Sequence, residues 1–191
     1  MRKLPSRRCM IHYLHLLIII FSCPAKSAEE VLITQRVILN ANVVSSACHV
    51  KVQADSMNNN RLTMDAYKKG DSSKIHPKSF YIWVFEDGAT LPGCSAFLVG
   101  NFVSVHFGNP GQLDEIGVVT RGAGDKIRIE IKSTDNLADY REKITNKRAI
   151  VNYPTNFASE GKLSFIAKPV NLEASKSGEY MGALSFVVTY Q

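Results

Sequence analysis

The chain is poor in the residues that build reactive or metal-holding sites. Its 191 residues include four cysteines, five histidines and one tryptophan, and no CxxC, HExxH or GxSxG spacing occurs. Zinc needs three or four ligands at close spacing, whereas His49, His76 and His106 stand singly. No metal and no cofactor is therefore expected. His106 reads as a sheet-surface residue and His49 as a strand residue beside Cys48. Without GxSxG the serines lack the strained elbow that exposes a nucleophile. Gly122-Ala123-Gly124 begins like a phosphate loop but has no third glycine in place, and Gly161-Lys162 is followed by Leu163 instead of a magnesium-holding hydroxyl residue. Both read as turns. Asp114 and Glu115 are adjacent, and adjacent side chains in a strand or loop point apart, so a solvated loop is expected there and a paired acid–base device is not. No catalytic residue is expected, and nothing compels an enzyme.

Acid is missing from residues 1–27, which carry Arg2, Lys3, Arg7, Arg8 and Lys26. Those 5 bases, taken from the total of 23, leave 18 against 17 acids over the other 164 residues, so the overall charge of +6 belongs almost wholly to the first segment. The body is nearly neutral, and a nucleic-acid partner is not expected. Long apolar runs are missing too, except at Met10–Ser22, where Leu16-Leu17-Ile18-Ile19-Ile20-Phe21 is followed by Pro24 and small residues. A cationic start, a short apolar core and a small-residue site form the pattern of a secretory signal peptide. The core is interrupted by His12 and His15 and is short for a membrane span. Ala25-Lys26-Ser27 favours cleavage before Ala28. Ile20-Phe21-Ser22-Cys23 also resembles a lipoprotein box, for which Phe21 is bulky.

Cys9 and Cys23 leave with the signal, so the exported chain keeps Cys48 and Cys94. In an oxidising compartment an isolated pair reads first as a disulfide. A link across about 46 residues stabilises by roughly 4 kcal/mol on the chain-entropy estimate.

The rest of the chain alternates with period two. Phe80, Ile82 and Val84 share one face of a run and Tyr81, Trp83 and Phe85 the other, which predicts a strand buried on both sides. Val103, Val105 and Phe107 alternate with Ser104 and His106, and Gly108-Asn109-Pro110-Gly111 then signals a turn. Ile127, Ile129 and Ile131 alternate with Arg128, Glu130 and Lys132. Further strands are expected at Ile116–Arg121, Leu163–Ala167 and Gly182–Tyr190. Leu137, Tyr140, Arg141 and Ile144 give the single helical pattern, over Asp135–Lys147. Asn58–Asn60 and Lys68–Lys74 read as solvated loops. Short strands at even intervals in one exported domain predict an antiparallel β-sandwich.

Both ends of the mature chain are strands in search of neighbours. From Val31 to Val44 no turn residue could fold the segment back as a hairpin, and Ile33, Val37, Leu39, Ala41 and Val43 make an apolar row interrupted by Gln35. At the other end Leu184, Phe186, Val188 and Tyr190 form an apolar row just before Gln191. A sandwich finishing on a buried strand leaves a groove for another strand. The alternative is an ordinary sandwich whose N-terminal strand pairs internally.

At these residues the chain resembles the subunits of fimbriae assembled by the periplasmic chaperone–usher route. Ala41-Asn42-Val43-Val44-Ser45-Ser46-Ala47-Cys48 is similar to the segment leading into their first cysteine, where a glycine normally stands at the position of Ala41. Phe80-Tyr81-Ile82-Trp83-Val84 followed by Cys94 is similar to their second-cysteine strand, with a longer stretch from Phe85 to Gly93. Gly178-Glu179-Tyr180 and Leu184–Gln191 resemble their ending, a glycine turn and an alternating strand with a penultimate tyrosine.

The resemblance implies an all-β fold, an immunoglobulin-like antiparallel β-sandwich lacking its final strand, with an extended N-terminal donor strand. It implies a signal peptide at 1–27, a donor extension at 28–45 and a pilin domain at 46–191. A periplasmic chaperone would lend the missing strand, an outer-membrane usher would receive the subunit, and the extension of a neighbouring fimbrial subunit would replace the loan. Val37, Leu39, Ala41 and Val43 would be the donor row, and Leu184, Phe186, Val188 and Tyr190 would line the subunit's own groove and meet the chaperone. Lysine, asparagine and large side chains are plentiful, which points to a minor or adaptor subunit of a cell-surface fimbria. A carbohydrate-binding adhesin or a terminator subunit is the alternative, although 164 residues leave no room for a separate lectin domain.

Overall fold

The structure, a computed structural model, describes residues 35–43, 48–54, 57–58, 60–70, 75–123 and 125–191. The expected signal peptide, its cleavage site and the step from Val44 to Ala47 lie outside the described residues.

The strands are β1 (Gln35–Val43), β2 (Cys48–Gln53), β3 (Met57–Asn58), β4 (Arg61–Met64), β5 (Lys78–Glu86), β6 (Phe102–Phe107), β7 (Val118–Gly122), β8 (Arg128–Ser133), β9 (Ile150–Pro154), β10 (Lys162–Val170) and β11 (Tyr180–Tyr190). They follow the order β2-β5-β10-β8-β7-β11-β1-β4-β3, with β6 also on β11 and β9 outside β6. β7 is the seam of this curled sheet. Its Val118 and Val119 pair with β8, while Thr120–Gly122 pair with β11. The two arms enclose one apolar layer, and a chain of rings crosses it. Phe80 stacks on Phe165 at 5.4 Å, Phe165 meets Phe107 edge-on at 5.3 Å, and Phe107 lies 5.7 Å from Phe186.

The alternating rows behave as their period requires. Phe80, Ile82 and Val84 are fully buried on β5, as are Ile129 and Ile131 on β8 and Val103 and Val105 on β6. The architecture is all-β and mostly antiparallel, consistent with the pilin fold. Cys48 and Cys94 are joined by a disulfide with their Cα atoms 6.1 Å apart. Gly161 shows how tightly the chain folds beside it. Its φ is +79°, and a Cβ there would lie 2.5 Å from the Val84 carbonyl oxygen, so only glycine fits.

Three expectations are corrected. Asp135–Lys147 is not a helix but an irregular stretch: Ile144 is buried, Leu137 is 52% exposed, and Asp139 spends its carboxylate on the backbone and side chain of Asn152. A helix would have to give up that clamp. The strand expected from Ile116 begins at Val118, because Asp114 accepts the backbone N–H groups of Ile116 and Gly117 and holds them in a turn. The second face of β5 is half-buried rather than closed, and its aromatics face solvent between polar neighbours.

Candidate functional site: the groove beside the last strand

β11 is built to be covered on one face. Leu184, Phe186 and Val188 are buried, Tyr190 is half-buried, and the alternate residue Met181 is 46% exposed. On one side β11 is paired twice, to β7 through Tyr180–Gly182 and to β6 through Phe186–Tyr190. Between those stretches Gly108 donates its N–H to the Ser185 carbonyl at 2.7 Å. Gln112 completes the interval: its Oε1 accepts from the N–H of Ser185 and of Asn109, both at 2.9 Å, and its Nε2 donates to Ser185 Oγ at 3.2 Å. A side chain thus stands in for strand where β6 has left and β7 has not begun.

On the other side lies the groove, and β1 fills it. The pairing is parallel, in contrast to every other pairing of named strands among the described residues. Its register sets Val37 beside Gly182, Leu39 beside Leu184, Ala41 beside Phe186 and Val43 beside Val188. Val37 and Leu39 are buried at 0% and 1% exposure. The far wall is β4, antiparallel to β1, with Leu62 beside Val37 and fully buried. Leu39 donates its N–H to the Asn60 carbonyl at 3.1 Å, and Asn60 takes a left-handed φ of 60° at the turn into β4. The backbone groups that an open groove would expose are therefore paired within one chain.

The groove is apolar and its polar groups are peripheral. Tyr180 is buried where β11 begins, burial pushes its hydroxyl pKa up, and that hydroxyl has no hydrogen-bond partner among the described residues. At the other end Gln191 and Phe102 exchange hydrogen bonds at 3.1 and 3.2 Å, and Phe97 packs 5.7 Å from the Tyr190 ring. This arrangement can hold a strand by main-chain bonds and alternate apolar side chains.

The remaining sequence candidates are structural. Burial opposes ionisation of Asp114, but the Arg128 guanidinium and the N–H groups of Ile116 and Gly117 outweigh it and hold the carboxyl below its ordinary value. Glu115 turns away to an exposed contact with Lys147 at 2.6 Å. His49 lies on β2 and stacks on Phe85, and His106 lies on β6. Among the described residues no cluster of histidine, cysteine or carboxylate side chains could hold a metal ion. Alternation in the sequence marks Val37, Leu39, Leu184, Phe186 and Val188, all buried, and carries no signal for Gln112, Leu62 and Asn60. Gln112 follows a strong turn and carries no periodic signal, and Asn60 lies in a stretch that reads as plain loop.

A family model described as K88 fimbrial protein A matches residues 8–191 of the chain. No curated protein sequence matches it.

Proposed function

Because the chain belongs to the K88 fimbrial protein A family, a family of chaperone–usher fimbrial subunits, and is a structural subunit of a surface fimbria, we propose that it is polymerised by donor-strand exchange. In this reading Val37, Leu39, Ala41 and Val43 are the donor row that a neighbouring subunit accepts. Leu184, Phe186, Val188 and Tyr190 line the groove that receives the chaperone's strand and then another subunit's extension. Delivery runs through the periplasm to an outer-membrane usher. The subunit is a minor or adaptor one, a reading supported by its composition and by alanine in place of glycine at position 41.

The observation that carries this reading is the pairing of β1 along nine consecutive residues of β11, with the apolar row of one in register with that of the other. Strand addition works in this way: main-chain bonds give affinity and alternate side chains give fit. Burying Val37 and Leu39 supplies about 1.5–3 kcal/mol each. A groove that the chain's own strand can occupy is one that an equivalent strand from outside can occupy. The self-filled subunit is then a resting form, held by the high effective concentration of a tethered strand. Parallel pairing, slightly weaker per residue than antiparallel, leaves that form open to displacement.

The test uses the exported chain with residues 28–43 removed, and a synthetic peptide spanning Val31–Val44. The truncated protein is expected to aggregate or melt at low temperature, and stoichiometric peptide is expected to restore a monomer with a cooperative transition. A truncated protein that is monomeric, cooperative and indifferent to the peptide overturns the reading.

A further inference from the structure

The solvent side of β5 carries a feature that strand exchange does not use. Phe80, Ile82 and Val84 face the core, so Tyr81, Trp83 and Phe85 line up half-buried on the outer face, spanning about 13 Å at the rise of an extended strand. The neighbours of this row are set by register. β2 places Lys51 beside Trp83 and His49 beside Phe85, and β10 places Lys162 on the other side of Trp83. The Lys162 ammonium sits 4.5 Å from the Tyr81 ring centre and 5.3 Å from that of Trp83. His49 stacks on Phe85 at 5.4 Å. One step along, Gln53 and Ser164 flank Tyr81, and Ser164 donates its N–H to the Asp135 carboxylate at 2.7 Å, which leaves the Gln53 amide to bond hydroxyls. The indole N–H of Trp83 is covered and has no acceptor among the described residues, an uncommon condition for a buried donor.

We propose that this face binds an anionic oligosaccharide. The row of rings offers flat apolar surface to the C–H faces of a short run of sugar rings. Lys51 and Lys162, one on each side of Trp83, supply two ammonium groups for a carboxylate or sulfate substituent. Lys51 and Lys162 are the charged groups in register with the centre of the row, and ammonium groups only donate, so the complementary ligand is acceptor-rich and negative. A neutral glycan would leave both ammoniums unanswered. A fully apolar partner would bury them unpaired, at considerable cost. The face lies on β2, β5 and β10, away from β1 and β11, and the proposal does not depend on donor-strand exchange.

Trp83 is the single tryptophan of the chain, so its fluorescence reads this face alone. The intact exported chain is titrated with a heparin hexasaccharide, with sialyllactose and with lactose. A saturable spectral change is expected with the sulfated or the carboxylated sugar and none with lactose, and the responding sugar identifies the anionic group. Lys51→Ala with Lys162→Ala is expected to weaken binding at least tenfold while circular dichroism stays unchanged. Trp83→Phe, followed by calorimetry, is expected to weaken it several-fold through the smaller ring surface. Lys147→Ala, an exposed lysine elsewhere, is expected to bind normally. The proposal is overturned if neither anionic sugar responds, if lactose responds equally, or if the double lysine variant binds as tightly as the parent.

Discussion

The sheet is finished in two different ways on the two sides of β11. On one side β6 and then β9 extend it, and the outer rim is sealed by a clamp: Asp139 donates its N–H to the Asn152 carbonyl at 3.0 Å and accepts from the N–H and Nδ2 of Asn152 at 2.7 and 2.8 Å. On the other side β1 lies between β11 and β4 as a free-standing strand, joined to β2 by only four residues, 44–47. An exposed rim of unpaired backbone invites association with other chains, and both devices prevent it. The clamp does so with an exposed side chain held between two stretches of the same fold, Asp139 and Asn152 of β9. The strand does so with a separate segment, through which β4 and β3 also join the sheet.

The largest effect expected from this contrast comes from placing a charge in each device. Leu39→Asp puts a carboxylate in a fully apolar row, and an unpaired buried charge costs several kcal/mol. β1 is expected to leave its groove, so that an environment-sensitive dye binds and the Val31–Val44 peptide rescues the protein. Val151→Asp, at a fully buried position of β9, has no loose strand to release and is expected to unfold the domain beyond rescue. If the peptide rescues both variants or neither, the two sides of β11 are equivalent and the contrast fails.

Next in size is removal of the disulfide. Cys48 opens β2 immediately after β1 has left, and its bond to Cys94 crosses to the stretch before β6. Replacing both cysteines by serine is expected to cost about 4 kcal/mol, roughly a 10 °C drop in melting temperature for a chain of this size. Both sides of β11 share this loss, so peptide uptake at low temperature should be unchanged. Faster uptake in the double serine variant would mean that the bond also holds β1 in place.

A smaller effect is expected from Asp139→Ala. The two hydrogen bonds that the carboxylate accepts at a partly exposed rim are lost, worth together about 1–2 kcal/mol, and the N–H of Asn152 on β9 is left open. Calorimetry should record the modest loss, and sedimentation should record association that grows with concentration while peptide uptake at β11 stays as before. A variant that remains monomeric at all concentrations would show that the clamp does not guard the rim.

How much of this was legible follows from what a period can encode. Alternation assigns a residue to a face, so Val37, Leu39, Leu184, Phe186 and Val188 were identifiable as one-sided rows, and two cysteines in an exported chain had one obvious partner each. Alternation does not assign a neighbour. That β1 joins β11, about 145 residues later in sequence and in parallel, rests on long-range closure of the sheet, which leaves no local mark. The false helix at Asp135–Lys147 failed for the converse reason. Asp139 has a better use for its carboxylate at Asn152, and of the expected stripe Ile144 is fully buried, Tyr140 packs half-buried against the core and Leu137 stays exposed. Gln112 bridges a gap that exists only once three strands are in place.

The smallest expected effect concerns Ala41, where the resemblance places glycine. Its position in β1 is beside Phe186, one of the larger groups lining the groove. Within the chain, Ala41→Gly should loosen β1 slightly, since glycine in a strand costs roughly 0.5–1 kcal/mol in backbone freedom, and the self-filled form should release its strand a few-fold faster. In another subunit the sign depends on the space there. A groove fitted to glycine must accommodate an extra methyl, and overpacking of that kind costs about 1–3 kcal/mol, enough to slow entry by one or two orders of magnitude. A roomier groove would take alanine without penalty. The measurement is the exchange rate of extension peptides, parent and Ala41→Gly, into each chaperone-bound subunit of the same fimbria. One acceptor that takes both peptides equally while the others favour glycine would mark the neighbour this subunit docks into and restrict it to one place in the fibre. Equal rates into every acceptor would strip position 41 of that role and leave the minor-subunit reading resting on composition alone.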